Sequence, residues 1–211
     1  MWSVGIEVGV IDGLVGPQTR FAYDAYRRHI QGLAPDTSRD LLMLPQVHDS
    51  RFPDPVKTTW PRQNEVTRHY GAVGQNQAML QLPFQMRLAW DLRTPITRFS
   101  IHEKAHDSAA RIFGRILSHY GEAEIKRLHL DRFGGCLNVR KMRGGSAYSM
   151  HSWGIAIDFD PERNQLNWNR TRAHLARPEY EAFWRFWTEE GWLSLGKARD
   201  IDWMHIQAAR L

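Results

Sequence analysis

Distinct strand-like and helix-like runs predict an α+β chain, and three observations carry that expectation. Residues 155–160 alternate, with Ile155, Ile157 and Phe159 on one face and Ala156, Asp158 and Asp160 on the other. Residues 203–207 read as a second strand, with Trp203 and His205 on a shared face, and 136–142 read as a third. Helical spacing replaces alternation in 100–119, where Ser100 is placed to cap and Ile101, Ala105, Ile112 and Ile116 form an apolar stripe that Gly121 should end. A second helix is expected over 178–190, ending at Gly191, with Phe183, Trp184, Phe186 and Trp187 as an aromatic stripe for the core.

The elements group into three parts. In 1–35, the turn at Asp12-Gly13 precedes a helix through His29, with Pro17 in its first turn and Phe21, Ala25 and Tyr26 facing inward. Five prolines, Pro35, Pro45, Pro53, Pro55 and Pro61, mark 36–60 and its flanks as a linker or an arm laid across a surface. Residues 61–211 then form the main domain.

Composition narrows the class. A chain of 211 residues with 42% hydrophobic residues and nine Trp can bury one good core, and no apolar run approaches the ~20 residues of a membrane span. The apolar first fifteen residues are broken by Glu7 and Asp12 and follow no basic stretch, so they are not expected to act as a signal peptide, and synthesis in the cytoplasm is expected. The single cysteine, Cys136, excludes an internal disulfide and reads as a small buried apolar residue. A monomer is expected. A net charge of +5 attracts polyanions, but the basic residues are scattered and no nucleic-acid motif is present, so nucleic acid is not an expected partner.

Chemistry concentrates in Ser149-Met150-His151-Ser152-Trp153-Gly154-Ile155-Ala156-Ile157-Asp158 and in Asp202-Trp203-Met204-His205. His151 precedes a strand whose polar face carries Asp158, and Gly154 lets the backbone pass close to a cation lying between them. His205 adds a third donor. Two histidines and one carboxylate make the three-ligand set of a catalytic zinc that keeps a fourth position for water. That leaves Asp202 for the general base that such a water requires. A rival motif is His102-Glu103-Lys104-Ala105-His106, the H-E-x-x-H pattern of zincins. It lacks the following Gly and His of the extended form, where Ala109 and Ile112 stand, and Lys126 occupies the usual position of a third ligand, with Glu122 and Glu124 nearby. His102 and His106 therefore read as residues flanking a helix.

The pattern S-x-H-x-x-G-x-A-x-D followed by D-x-x-H resembles the zinc D-alanyl-D-alanine carboxypeptidases, a family that includes phage L-alanyl-D-glutamate endopeptidases, over roughly 60–211. The resemblance implies a small, mostly antiparallel sheet flanked by helices, Zn2+ on His151, Asp158 and His205, and Asp202 as general base. It implies peptidoglycan stem peptides as substrate, cut at a terminal D-Ala or at an internal L-Ala-D-Glu bond. It also implies an arginine before the first motif, facing the oxyanion: Arg140 in the expected strand is the first choice and Arg143, beside Gly144-Gly145, the second. Ser149, Trp203 and Arg143 are further candidates for substrate contact. Residues 12–22 are similar to the D-G-x-x-G-P-x-T-x-x-A signature of peptidoglycan-binding modules, though only half of such a module is covered. Together these features imply action on the bacterial cell wall as a phage-type lysis endopeptidase, and an anionic envelope also accounts for the positive charge. The alternatives are a wall-binding module in which zinc serves only structure, and the zincin built on His102 and His106.

Overall fold

The computed structural model describes residues 55–142 and 145–211, all within the compact unit Phe52–Leu211. The turn and helix expected before His29, the peptidoglycan-binding signature and Arg143 lie outside the described residues.

The fold is α+β, built on a six-stranded sheet. Its strands are β1 (Gln77–Leu88), β2 (Asp91–His102), β3 (Arg132–Gly135), β4 (Ala156–Phe159), β5 (Leu193–Ser194) and β6 (His205–Gln207). They lie in the order β2-β1-β3-β4-β6-β5, and every neighbouring pair is antiparallel except β1 with β3. Among the described residues four α-helices accompany them: α1 (Val66–Tyr70), α2 (Glu103–Arg127), α3 (Glu181–Glu189) and α4 (Leu195–Arg199).

Apolar residues at helical spacing drive α2 and α3 together over one face of the sheet. Phe113 of α2 meets Phe84 of β1, Phe99 of β2, Phe159 of β4 and Trp187 of α3. Phe183, Trp184, Phe186 and Trp187 are all buried, as the aromatic stripe predicted. Burying a large side chain of this kind contributes ~1.5–3 kcal/mol, so this cluster is a principal source of stability. Ile157 and Phe159 point into it, which turns Asp158 to the opposite face.

Several expected boundaries move. The first helix starts at Glu103, because β2 runs through Ser100 and Ile101 to His102, and the His102 side chain supplies the cap by accepting the Lys104 N–H. Gly121, at φ 67° and ψ 161°, breaks the helical path as expected, yet the chain resumes helix to Arg127. The strand expected over 136–142 is absent; β3 ends at Gly135, whose φ of 120° directs the chain out of the sheet. The following segment bonds instead to the turn that carries His151: Asn138 N–H donates to the His151 carbonyl, and Arg140 N–H to Ser152 Oγ.

The last residues of the proline-rich stretch pack into this unit. Trp60 is buried against Tyr70 and Trp192, its indole N–H donating to the Glu190 carbonyl. Val56 N–H donates to Glu190 Oε1, a carboxylate also held by Arg111 at 2.8 and 2.7 Å and by Ser108 at 2.9 Å. Glu190 is fully buried, and this complete set of partners is what makes burial of its charge tolerable.

Candidate metal centre

Sheet register builds the centre. In the β4/β6 pair Asp158 lies directly opposite His205, Ile157 opposite Ile206 and Ala156 opposite Gln207. Directly opposed residues share a face with their Cβ atoms about 5 Å apart, so the ladder alone brings Asp158 and His205 together. β3 makes room for them: a Cβ at Gly134 would come within 2.9 Å of the Asp158 Cβ and 3.0 Å of its carbonyl oxygen. His151 arrives from the single turn of 3-10 helix Met150–Trp153, which Gly154 closes at φ 68°. The close approach at Gly154 is to Gln77 of β1, whose Oε1 a Cβ there would overlap, rather than to a cation.

The two imidazoles are oriented from behind. His151 Nδ1 lies 2.8 Å from the Cys136 carbonyl, an acceptor, so that nitrogen carries the proton. Its Nε2 then presents a lone pair 3.2 Å from Asp158 Oδ2. His205 is arranged in the same sense, with Nε2 3.1 Å from Gln207 Oε1 and Nδ1 3.1 Å from Asp158 Oδ1. The Gln207 amide is itself fixed, donating from Nε2 to the Ala209 carbonyl at 2.9 Å. Two imidazole lone pairs therefore converge on one carboxylate. Such an arrangement needs a cation, either as protons on the rings or as a metal ion among the three groups.

The spacing suits a metal. Tetrahedral zinc bonds of ~2.0–2.1 Å place ligand atoms about 3.3 Å apart, close to the separations of 3.2 and 3.1 Å between Asp158 and the two histidines. All three donors lie within 4.8 Å of one another, and they are the one group of this kind among the described residues. Burial opposes the charge on Asp158, but the two imidazoles outweigh it and hold the carboxyl well below its ordinary range. Burial also opposes charge on His205, and the Asp158 hydrogen bond and charge reverse that effect and raise its pKa.

Asp202 stands beside this group with a different character. It sits at φ 55° in the turn before β6, where its N–H donates to the Leu166 carbonyl and its own carbonyl accepts from His205 N–H. The side chain is buried, and Oδ1 has no hydrogen-bond partner. Burial raises its pKa to about 6, Asp158 adds to the rise, and His205, His151 and Arg140 oppose it. A buried carboxylate with an unpartnered oxygen and a pKa raised toward neutrality is suited to accept and return a proton.

The centre opens into a cavity of about 260 Å³ lined by Gly134, Gly135, Asn138, Arg140, His151, Asp158, Pro161 and Met204. Arg140 is exposed on its wall, and its backbone is clamped by Ser152 Oγ, which accepts its N–H at 3.0 Å and donates to its carbonyl at 2.7 Å. Ser149 is buried, its N–H donating to the Arg140 carbonyl at 3.0 Å. Trp203 lies in the core rather than on the cavity wall: its ring covers Gly196, its edge meets Trp184 and its N–H donates to Asp200 Oδ1 at 3.0 Å. It precedes β6 in a turn, so it does not share a strand face with His205.

His102 and His106 are not brought into this group. The buried ring of His102 donates from Nε2 to the Tyr70 carbonyl at 2.8 Å and accepts Lys104 N–H on Nδ1 at 3.1 Å, which uses both nitrogens. His106 pairs with Asp107 at the surface, Glu122 with Lys126 and Glu124 with Arg127. Cys136 is buried, with its thiol pKa pushed up by burial, as an inert apolar residue would be.

Sequence reasoning missed Gln207, Asn138, Met204 and the Cys136 carbonyl. Gln207 alone left a signal, lying two residues after His205 on the same strand face. No curated protein and no solved structure matches the chain. A family model described as D-alanyl-D-alanine carboxypeptidase matches residues 143–208, so the segment carrying His151, Asp158, Asp202 and His205 is similar to that peptidase family, and peptidase activity is supported.

Proposed function

We propose that the protein is a zinc-dependent peptidase that cleaves peptidoglycan stem peptides. The observation that carries this reading is the convergence of two imidazole lone pairs on Asp158 beside the buried, unpartnered Oδ1 of Asp202. Zinc held by His151, Asp158 and His205 would supply Lewis-acid polarisation of the scissile carbonyl and make water acidic enough to lose a proton near neutrality. Asp202 accepts that proton at Oδ1 and returns it to the leaving amine. Arg140, on the cavity wall, offers its guanidinium to the developing oxyanion or to a substrate carboxylate. The Leu166 carbonyl and the His205 N–H hold the Asp202 backbone and so aim its carboxylate. Gln207 and the Cys136 carbonyl hold the ring orientations on which ligation depends.

Asp202 argues against a centre that serves structure alone. A closed structural site fills its ligand positions with protein groups and has no use for an unpaired buried acid beside them. The family match supports a stem-peptide substrate, and a lysis role would use residues 1–35 to hold the wall. The deciding experiment is mass spectrometry of purified peptidoglycan after digestion by the zinc-loaded full chain. New peptide termini at D-Ala-D-Ala or L-Ala-D-Glu bonds, abolished by a chelator and restored by zinc, are the expected result. An unchanged fragment pattern would refute the proposal.

A further inference from the structure

A second cavity, of about 510 Å³, adjoins the metal centre and shares two of its walls, Pro161 and Met204. Its other lining residues are Gln165, Leu166, Asn167, Trp168 and Arg172, from the irregular segment between β4 and α3. The two spaces therefore meet at Pro161 and Met204. The wall is also tied to the chemistry, because the Leu166 carbonyl accepts the N–H of Asp202.

The lining has a definite chemical preference. The Arg172 guanidinium carbon lies 3.8 Å from the centroid of the Trp168 ring. A guanidinium placed over an indole uses its flat face for that contact and keeps its in-plane N–H fork for a planar anion. Arg172 makes no ion pair with any described residue, and the side-chain amides of Gln165 and Asn167 make no hydrogen bond with one. Gln165, Asn167 and Arg172 are all exposed, and a guanidinium fork beside two amides with no partner among the described residues matches a carboxylate flanked by peptide groups.

We propose that this second cavity is a subsite for an acidic residue of the peptide substrate, with the carboxylate on Arg172 and the adjoining peptide groups on Gln165 and Asn167. The inference rests on the reading of the adjoining centre as a peptidase, and it deepens that reading by naming what the enzyme recognises beside the scissile bond. In peptidoglycan stems the group of this kind is the free α-carboxylate of the D-Glu residue.

Binding of two pentapeptide stems decides it, one with the D-Glu carboxylate free and one with it converted to the carboxamide. Calorimetry on the zinc-loaded full chain carrying Asp202→Asn measures both without rapid turnover. The free acid should bind about tenfold more tightly, the scale of one charge-assisted contact. Adding Arg172→Gln should bring the two dissociation constants together while zinc content stays at the parent value. Equal affinities in the parent, a preference that survives Arg172→Gln, or binding of glycan strands in place of either peptide would each overturn the subsite. The peptidase reading fails separately: a wild-type chain that cleaves neither stem while the tenfold preference persists refutes catalysis and upholds the subsite.

Discussion

Among the described residues two histidine pairs obey zinc patterns, and only one of them converges on a third donor. His102 and His106 match by spacing along the chain, and that spacing has meaning only if both residues lie on a helix. Here His102 is the last residue of β2 and the cap of α2, so its ring turns back to Tyr70 and the Lys104 N–H. His151 and His205 are far apart in sequence, yet a 3-10 turn and a strand register bring both onto Asp158. Long-range register, fixed by several backbone hydrogen bonds, positions ligands more firmly than a short local spacing that one change of secondary structure undoes.

The comparison breaks hardest at the acid. Asp202→Ala should lower turnover ~100- to 10,000-fold, the usual loss for a general base, while zinc content stays near that of the wild type. Steady-state kinetics with elemental analysis measures both, and a variant of near-native turnover would remove Asp202 from the mechanism. The pH profile carries the same signature. Asp202 works only when ionised, so kcat/KM should fall about tenfold per unit as the pH drops below an acid limb at or under about 6.

A smaller effect separates a donor from its support. Gln207→Leu removes the acceptor for His205 Nε2–H and should weaken zinc binding by ~10- to 100-fold, the range for a partner behind a ligand. Competition with a chromogenic chelator reads this directly. The same chelator assay on His102→Ala should show wild-type affinity, together with a loss of stability of about 1–3 kcal/mol from the hydrogen bonds left behind.

The contrast also explains what was legible in the sequence. The His151 to Asp158 segment could be read because its alternation is short, regular and backed by Ile155, Ile157 and Phe159, all fully buried. The aromatic stripe of α3 was equally plain, since four large residues at helical spacing have few other uses. The β1/β2 hairpin left no such trace. Pro83 and Pro95 interrupt its two strands, and the ladder is irregular between Gln81 and Met86, where Pro83 falls. Arg140 was sought on a strand because 136–142 is extended and partly apolar. Its position is set instead by bonds to the His151 turn, which nothing local encodes. Trp203 read as a strand neighbour of His205, but Gly196 offers its indole a flat surface to cover, and the ring packs there.

Zinc content is the most direct test of the central claim that register, and not local spacing, builds the centre. Full-length wild type, His102→Ala, His151→Ala and His205→Ala are each equilibrated with zinc, desalted and assayed for metal by elemental mass spectrometry. One zinc per chain in the wild type and in His102→Ala, with little in His151→Ala and His205→Ala, is the predicted result. Zinc lost from His102→Ala and retained by His205→Ala would contradict the account and return the centre to the 102–106 helix.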